Sequence, residues 1–211
     1  MKLFYMPGAC SLAGHIVLEW TGAPYETVGM TRAGIKSPEF LALNPSGAVP
    51  LLQHGDFWLT ENAAILGYIA DQHPHARLLG DGTPRGRADV MRWVAFLNSD
   101  VHKAFLPIFK PARFLDDETR VDDLAQTARG HVREYLQRLD ARLDGRAWLA
   151  GARSVADPYL FVILRWALGK GIGLKGLDNL QRFVAAMQAD AGVRAALAQE
   201  EGDLDTARKA S

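Results

Sequence analysis

Cys10 carries the most nucleophilic side chain in this sequence, and its neighbours limit what it can do. It follows Pro7-Gly8-Ala9, where a short apolar run from Lys2 to Met6 gives way to helical spacing. A thiol at a helix N-terminus feels the positive end of the helix dipole and the free backbone N–H groups there. Both lower its pKa and favour thiolate. No second cysteine follows at Ala13, and none occurs elsewhere. A lone thiol can attack an electrophile, or form a mixed disulfide with a small thiol, but cannot resolve that disulfide internally. The alternative is that Cys10 is a small buried hydrophobe, and the local pattern does not choose between the two.

Three further groups bear on chemistry. Val49-Pro50 precedes an apolar strand; a cis bond there would turn the Val49 backbone outward to pair with an extended peptide, whereas a trans proline simply opens a strand. Thr60-Glu61-Asn62 opens a helix and offers a carboxylate, an amide and free N–H groups, suited to the charged end of a ligand or to plain capping. His102-Lys103 lies in a long helical stretch, as a cleft-facing pair or a solvated one. Ser154-Val155-Ala156-Asp157 fits a capping box with Asp for Glu and is read as structural. The other histidines have no metal-ligand spacing. The sequence has no phosphate-binding loop, dinucleotide glycine fingerprint or nucleophile elbow.

The elements that must position these residues fall into two halves. Lys2–Met6 reads as a strand stopped by Pro7-Gly8. Leu12, Ile16 and Trp20 mark a helix closed by Gly22, and Tyr25–Met30 is a second strand. Ser37 caps a short helix with Pro38 at its first position. Val49–His54 and Phe57–Leu59 form a hairpin around Gly55-Asp56, and Ile65, Leu66 and Ile69 mark another helix. The order β-α-β-α-β-β-α requires a mixed sheet, because a helical crossover joins parallel strands and a tight hairpin joins antiparallel ones. A turn-rich connector at 77–85 separates residues 1–76 from an all-helical half, 86–203. In that half, helices are expected from Gly86 to Phe114 (bent near Pro107 and Pro111), Asp117 to Leu143, Ser154 to Leu168, Asn179 to Ala189 and Val193 to Glu200.

Composition narrows the class. The chain has 211 residues, 48% hydrophobic, with 24 basic residues against 24 acidic ones. There is enough apolar material for a core, and no net charge to draw the chain to nucleic acid or an anionic membrane. No run approaches the roughly 18 apolar residues of a membrane span. The N-terminus does not read as a signal peptide, and one cysteine suits a reducing compartment, so a cytoplasmic address is expected.

In order and spacing these motifs resemble the glutathione transferases, in particular the bacterial beta class. The likeness runs from Tyr5-Met6-Pro7-Gly8-Ala9-Cys10-Ser11 through Asn44-Pro45, Val49-Pro50 and Leu59-Thr60-Glu61-Asn62 to His102-Lys103, Ser154–Asp157 and Leu164-Arg165-Trp166-Ala167. The resemblance implies a thioredoxin-like α/β N-terminal domain with a four-stranded mixed sheet, an all-α C-terminal bundle, and a homodimer. No cofactor or metal is implied, glutathione being a co-substrate. By the same resemblance Cys10 lies beside the glutathione sulfur with Tyr5 and Ser11 near it. Val49 pairs with the cysteinyl backbone beside a cis Pro50, and Glu61 and Asn62 hold the γ-glutamyl end. Arg32 or Lys36 meets the glycyl carboxylate. His102 and Lys103 approach the sulfur, Ser99 and Asp100 reach the partner's glutathione, and Phe105, Phe109 and Trp166 line the pocket for a small hydrophobic electrophile. The expected reaction is attack by a stabilised glutathione thiolate on that electrophile, with the helix N-terminus at Cys10-Ser11 and the cations His102 and Lys103 as donors and Cys10 assisting by hydrogen bonding. The alternatives are a glutathione-dependent reductase or peroxidase acting through Cys10, and a non-catalytic binding protein of the same fold.

Overall fold

A computed structural model describes residues 1–209, with side chains for residues 1–202. Strand β1 (Lys2–Tyr5) is followed by α1 (Ser11–Thr21), β2 (Glu26–Gly29), α2 (Pro38–Leu43), β3 (Leu51–His54), β4 (Phe57–Leu59) and α3 (Asn62–Gln72). The sheet order is β2-β1-β3-β4; β1 pairs parallel with β2 and antiparallel with β3, which pairs antiparallel with β4. Alternation along β1 sends Leu3 and Tyr5 into the core, while Phe4 meets Phe40 and Trp58 on the other face. Gly22 closes α1 in the left-handed conformation, its N–H donating to the Glu19 carbonyl. Ser37 caps α2 by accepting from the Phe40 N–H. The Val49–Pro50 peptide is cis.

The second half is all helix: α4 (Pro84–Phe96), a π-helical turn over Leu97–Val101, α5 (His102–Ala104), α6 (Leu106–Phe109), α7 (Val121–Arg142), α8 (Ala156–Gly169), α9 (Asp178–Ala189) and α10 (Ala191–Lys209). Several bounds differ from expectation, and the helix expected over Gly86–Phe114 is broken into α4, the π-helical turn, α5 and α6. Helix α4 begins at Pro84, inside the expected connector, because Thr83 caps it and proline is preorganised for a first turn. The long α7 opens one turn later than expected: Asp117 caps a short 3-10 turn, Glu118–Arg120, before the α-helix starts. Helix α10 is longer than the segment Val193–Glu200, running from Ala191 to Lys209.

Apolar residues of both halves form one core cluster. Helix α1 packs against β1 and α3 on one side and against α8 and α10 on the other. In α8 every residue from Ala156 to Leu164 is buried, so the helix is apolar on all sides, as a central helix must be.

Asp157 is the polar exception in α8. Its carboxylate accepts from the Leu149 N–H at 3.0 Å, the Ser154 N–H at 2.8 Å and the Ser154 hydroxyl at 3.1 Å. The expected capping box is thus changed in detail: the Ser154 hydroxyl donates to Asp157 and accepts from the Ala156 N–H at 3.4 Å, not from the residue three on. Burial pushes the Asp157 carboxyl up to about 7 against the pull of those donors. The carboxylate therefore carries most of this junction. Ser154→Ala is expected to cost about 0.5–2 kcal/mol. Asp157→Ala, which strands two buried N–H groups, is expected to cost about 3 kcal/mol or more. Urea denaturation of both variants measures this, and equal midpoints would contradict the ranking.

Candidate active site

Of the residues singled out above, Cys10, Val49, Pro50, Glu61, Asn62 and His102 converge on a cleft of about 170 Å³ between the two halves. Cys10 forms one wall, the loop Asn44–Pro50 a second, Thr60-Glu61-Asn62 a third, and Asn98 and His102 of the helical half close the fourth. Larger hollows of about 650 Å³, along the connector, and about 600 Å³, beside Leu168 and Val184, lie elsewhere. Neither is lined by a buried polar atom lacking a partner among the described residues. The chemistry is in the smaller cleft.

Each wall is fixed by its own sequence. Asn44 is buried and braces its loop, donating to the Ala48 carbonyl at 2.7 Å and accepting from the Ser46 N–H and hydroxyl. The Val49 N–H has no hydrogen bond among the described residues, as expected for backbone left to pair with a ligand. Glu61 sits at φ 69°, a left-handed conformation in a residue that is not glycine. Such strain costs about 1–3 kcal/mol and persists where the surroundings impose it. Here it sets the Glu61 carboxylate at the cleft, directly before α3. Asn62 is 4% exposed, and neither its amide nitrogen nor its oxygen has a well-formed hydrogen bond among the described residues, although the amide lies near enough to the Tyr159 phenol to offset part of the upward push of burial there. A buried carboxamide left open on both sides costs about 1–3 kcal/mol per group. It lines the cleft.

Cys10 stands at the α1 N-terminus as expected, its Sγ 3.8 Å from the Val49 carbonyl. Of the two readings left open for it, the structure favours the buried thiol over the thiolate. The residue as a whole is half-buried, but burial around the sulfur pushes the thiol up to about 12; the backbone N–H groups of Cys10 and Ser11 lower it less, and Glu61 adds repulsion. Desolvation outweighs the helix terminus. Cys10 is a protonated donor.

His102 is also changed. Burial pulls its imidazole down to about 4, so at neutral pH it is uncharged, not the expected cation. Its Nδ1 is 2.8 Å from the Tyr159 hydroxyl, and that hydroxyl donates to Asn98 Oδ1 at 2.9 Å. With the Asn98 amide in that orientation, the phenol has given away its one proton, so Nδ1 donates to Tyr159 and Nε2 keeps its lone pair. Asn98 and Tyr159 were not anticipated: neither has a local spacing that marks it, and only the packing of α8 on the π-helical turn brings them together.

Other expected residues lie elsewhere. Tyr5 is fully buried with its ring against His15, facing the core and not the cleft. Ser11 is buried too; its hydroxyl donates to the Met6 carbonyl and accepts from the Met6 N–H, stapling the loop before Cys10. Lys103 is exposed and does not line the cleft, because the helical turn that points His102 inward points its neighbour out. Ser99 and Asp100 are exposed in the π-helical turn and hydrogen-bonded to each other. Lys36 donates to the Gly47 carbonyl at 2.9 Å, against the Asn44–Pro50 loop, whereas Arg32 is simply exposed. Trp166 contacts His102, Phe105 and Phe109 with ring centroids 4.7, 5.7 and 5.4 Å away. Phe105 is fully buried, so it floors this aromatic group instead of lining it. Among the described residues no cluster of three or more His, Cys, Asp or Glu side chains is arranged to hold a metal ion, and no helix is long and apolar enough to cross a membrane.

Residues 1–71 match the family described as glutathione S-transferase, N-terminal domain, and residues 96–190 match glutathione S-transferase, C-terminal domain. The chain is 50% identical over 203 residues to glutathione S-transferase GST-4.5 of Xanthomonas campestris pv. campestris, covering 96% of this chain and 99% of that one. A solved glutathione S-transferase from Xylella fastidiosa superposes with a TM-score of 0.92 at 48% identity, over 95% of this chain and 98% of the other. A sphingomonad glutathione S-transferase complexed with glutathione gives 0.85 at 40% identity, over 95% and 99%.

The state of His102 has a measurable consequence. Between pH 6.5 and about 4 the unfolded chain, with an ordinary imidazole, takes up a proton that the folded chain refuses. The unfolded state then binds more protons, so stability falls on acidification across that window, by up to about 3 kcal/mol from this residue. In His102→Gln the loss between pH 7 and 4.5, read by urea denaturation, is expected to shrink by about 2 kcal/mol; an unchanged pH slope would contradict a neutral His102.

Proposed function

This chain belongs to the glutathione S-transferase family, and from that premise we propose that it conjugates reduced glutathione to small hydrophobic electrophiles at the cleft beside Cys10. The observation that carries this reading is Asn62: a buried carboxamide with both ends unsatisfied, beside a strained Glu61 and across from an unpaired Val49 N–H. A γ-glutamyl group, with its ammonium and carboxylate, would complete Glu61 and Asn62, and a peptide backbone would complete Val49. Lys36, already against the same loop, is the better placed of the two cations for the glycyl carboxylate. In this reading residues 1–76 bind the tripeptide and residues 86–203 supply the electrophile wall through Trp166 and Phe109. The protein works as a cytoplasmic homodimer in detoxification, with Ser99 and Asp100 turned to the partner.

The chemistry needs a glutathione thiolate. His102 is a poor acceptor for that proton: transfer from a thiol of pKa about 8.5 to an imidazole at about 4 is uphill by about 6 kcal/mol. The proton therefore goes to water, and the thiolate is held by donors. The Cys10 S–H is one, freed when the ligand's cysteinyl N–H takes the Val49 carbonyl, and the N–H groups opening α1 are others. The aromatic wall of Trp166 and Phe109 keeps the electrophile against the sulfur.

A reductase role through Cys10 is the second reading, favoured by the place of this half-buried residue in the wall of the cleft. Electrostatics disfavour it as the main activity. A thiol at about 12 is ionised in only about one molecule in 10⁴–10⁵ near pH 7.4, against several per cent for an ordinary cysteine.

Calorimetry and steady-state assays test both. Glutathione binding to Asn62→Ala is expected to weaken about tenfold. Cys10→Ala should keep conjugation of a chloronitroarene within about tenfold while losing reduction of a mixed disulfide. Absence of any heat when glutathione is titrated into the folded protein would overturn the assignment.

A further inference from the structure

We propose that Glu200, on α10, is a positioning residue for Cys10, acting with Trp166 to hold Gly8 from both of its polar ends. The loop between β1 and α1 satisfies most of its own backbone: Ala9 N–H donates to the Met6 carbonyl at 3.0 Å, Leu12 N–H to the Ala9 carbonyl at 3.3 Å, and Met6 is stapled by Ser11. Gly8 is different. Its N–H donates to Glu200 Oε2 at 3.0 Å, and its carbonyl accepts from Trp166 Nε1 at 2.8 Å. Both partners belong to the helical half, 192 and 158 residues away in sequence. Gly8 has φ +76°, a conformation that glycine adopts freely and that the loop needs in order to turn into α1. The two distant contacts therefore fix the one residue of the loop with the greatest backbone freedom, two positions before the thiol.

Glu200 is 3% exposed, an uncommon place for a carboxyl group, and its Oε2 accepts from a peptide N–H there. Its neighbour Gln199 lies 3.0 Å from the ring of His15 on α1, so α10 is anchored to the helix that begins at Cys10. Trp166 on the other side is the residue whose ring touches His102 and Phe109. The wall of the electrophile pocket and the tail of the helical half thus set together where the Cys10 sulfur lies relative to the Val49 carbonyl.

The inference rests on the transferase reading only for what Cys10 does once positioned. Because Cys10 is the one cysteine in the chain, iodoacetamide reports on it alone, without glutathione or turnover. In Glu200→Ala, checked for native circular dichroism, alkylation of Cys10 is expected to run about tenfold faster or more as the loop is released. Glu200→Gln, which keeps an accepting oxygen, should stay within about threefold of the parent. In the conjugation assay Glu200→Ala should lower kcat about tenfold with the glutathione KM changed less than threefold, since Val49, Glu61 and Asn62 are untouched. A folded Glu200→Ala that is alkylated at the parental rate, even with a lowered Tm, would overturn the proposal and leave Glu200 a structural contact only. If Glu200→Ala does not fold, Trp166→Phe decides: it removes the N–H that holds the other end of Gly8, together with part of the ring packed on His102 and Phe109, and a parental alkylation rate there would equally overturn the proposal.

Discussion

Helix α1 is covered almost all the way round, by the sheet and α3 on one flank and by α8 and α10 on the other, with every residue from Ser11 to Leu18 buried. A helix enclosed in this way cannot tilt or slide without opening the core of both halves. Its N-terminus, where Cys10 and the open backbone donors lie, is correspondingly rigid. The walls of the cleft are laid out around that end, and both halves of the chain pack against this helix.

The same enclosure sets the electrostatics. A thiol at a helix terminus in water would be acidic, but at the mouth of a buried helix, with Glu61 nearby, lost hydration dominates and the proton stays on sulfur. His102 follows the same rule with the opposite charge convention, being held neutral where a solvated imidazole would be partly protonated. Neither group is then a formal charge competing for the incoming tripeptide. What the site offers is a set of oriented dipoles and unfilled hydrogen bonds, the kind of environment that favours a soft anion without paying to reorganise water.

Much of this was legible in the residues. Gly22 and Ser37 mark helix ends because their conformational and capping roles are local, and the hairpin at Gly55-Asp56 and the alternation along β1 fix the sheet order for the same reason. Cys10, Val49, Glu61 and Asn62 were found because each sits at an element boundary, where backbone groups are left open. The sequence was least informative where burial and through-space contact decide. Tyr5 and Ser11 adjoin Cys10 in sequence yet face inward. Lys103 adjoins His102 yet faces out. Asn98 and Tyr159, 61 residues apart, form a network that no local spacing announces. The charge of His102 was misjudged, and the choice between a thiolate and a buried thiol at Cys10 was left open, for one reason: desolvation is a property of the packed fold.

The left-handed backbone at Glu61 has an implication for anyone trying to make this protein withstand heat. A glycine there would relieve the torsional penalty at once, and a search guided by melting temperature alone would favour it. It would also delete the carboxylate that, in the proposed reading, the contorted backbone presents to the ligand. Position 61 is therefore a place where ruggedness and recognition pull in opposite directions, and the native residue marks the compromise.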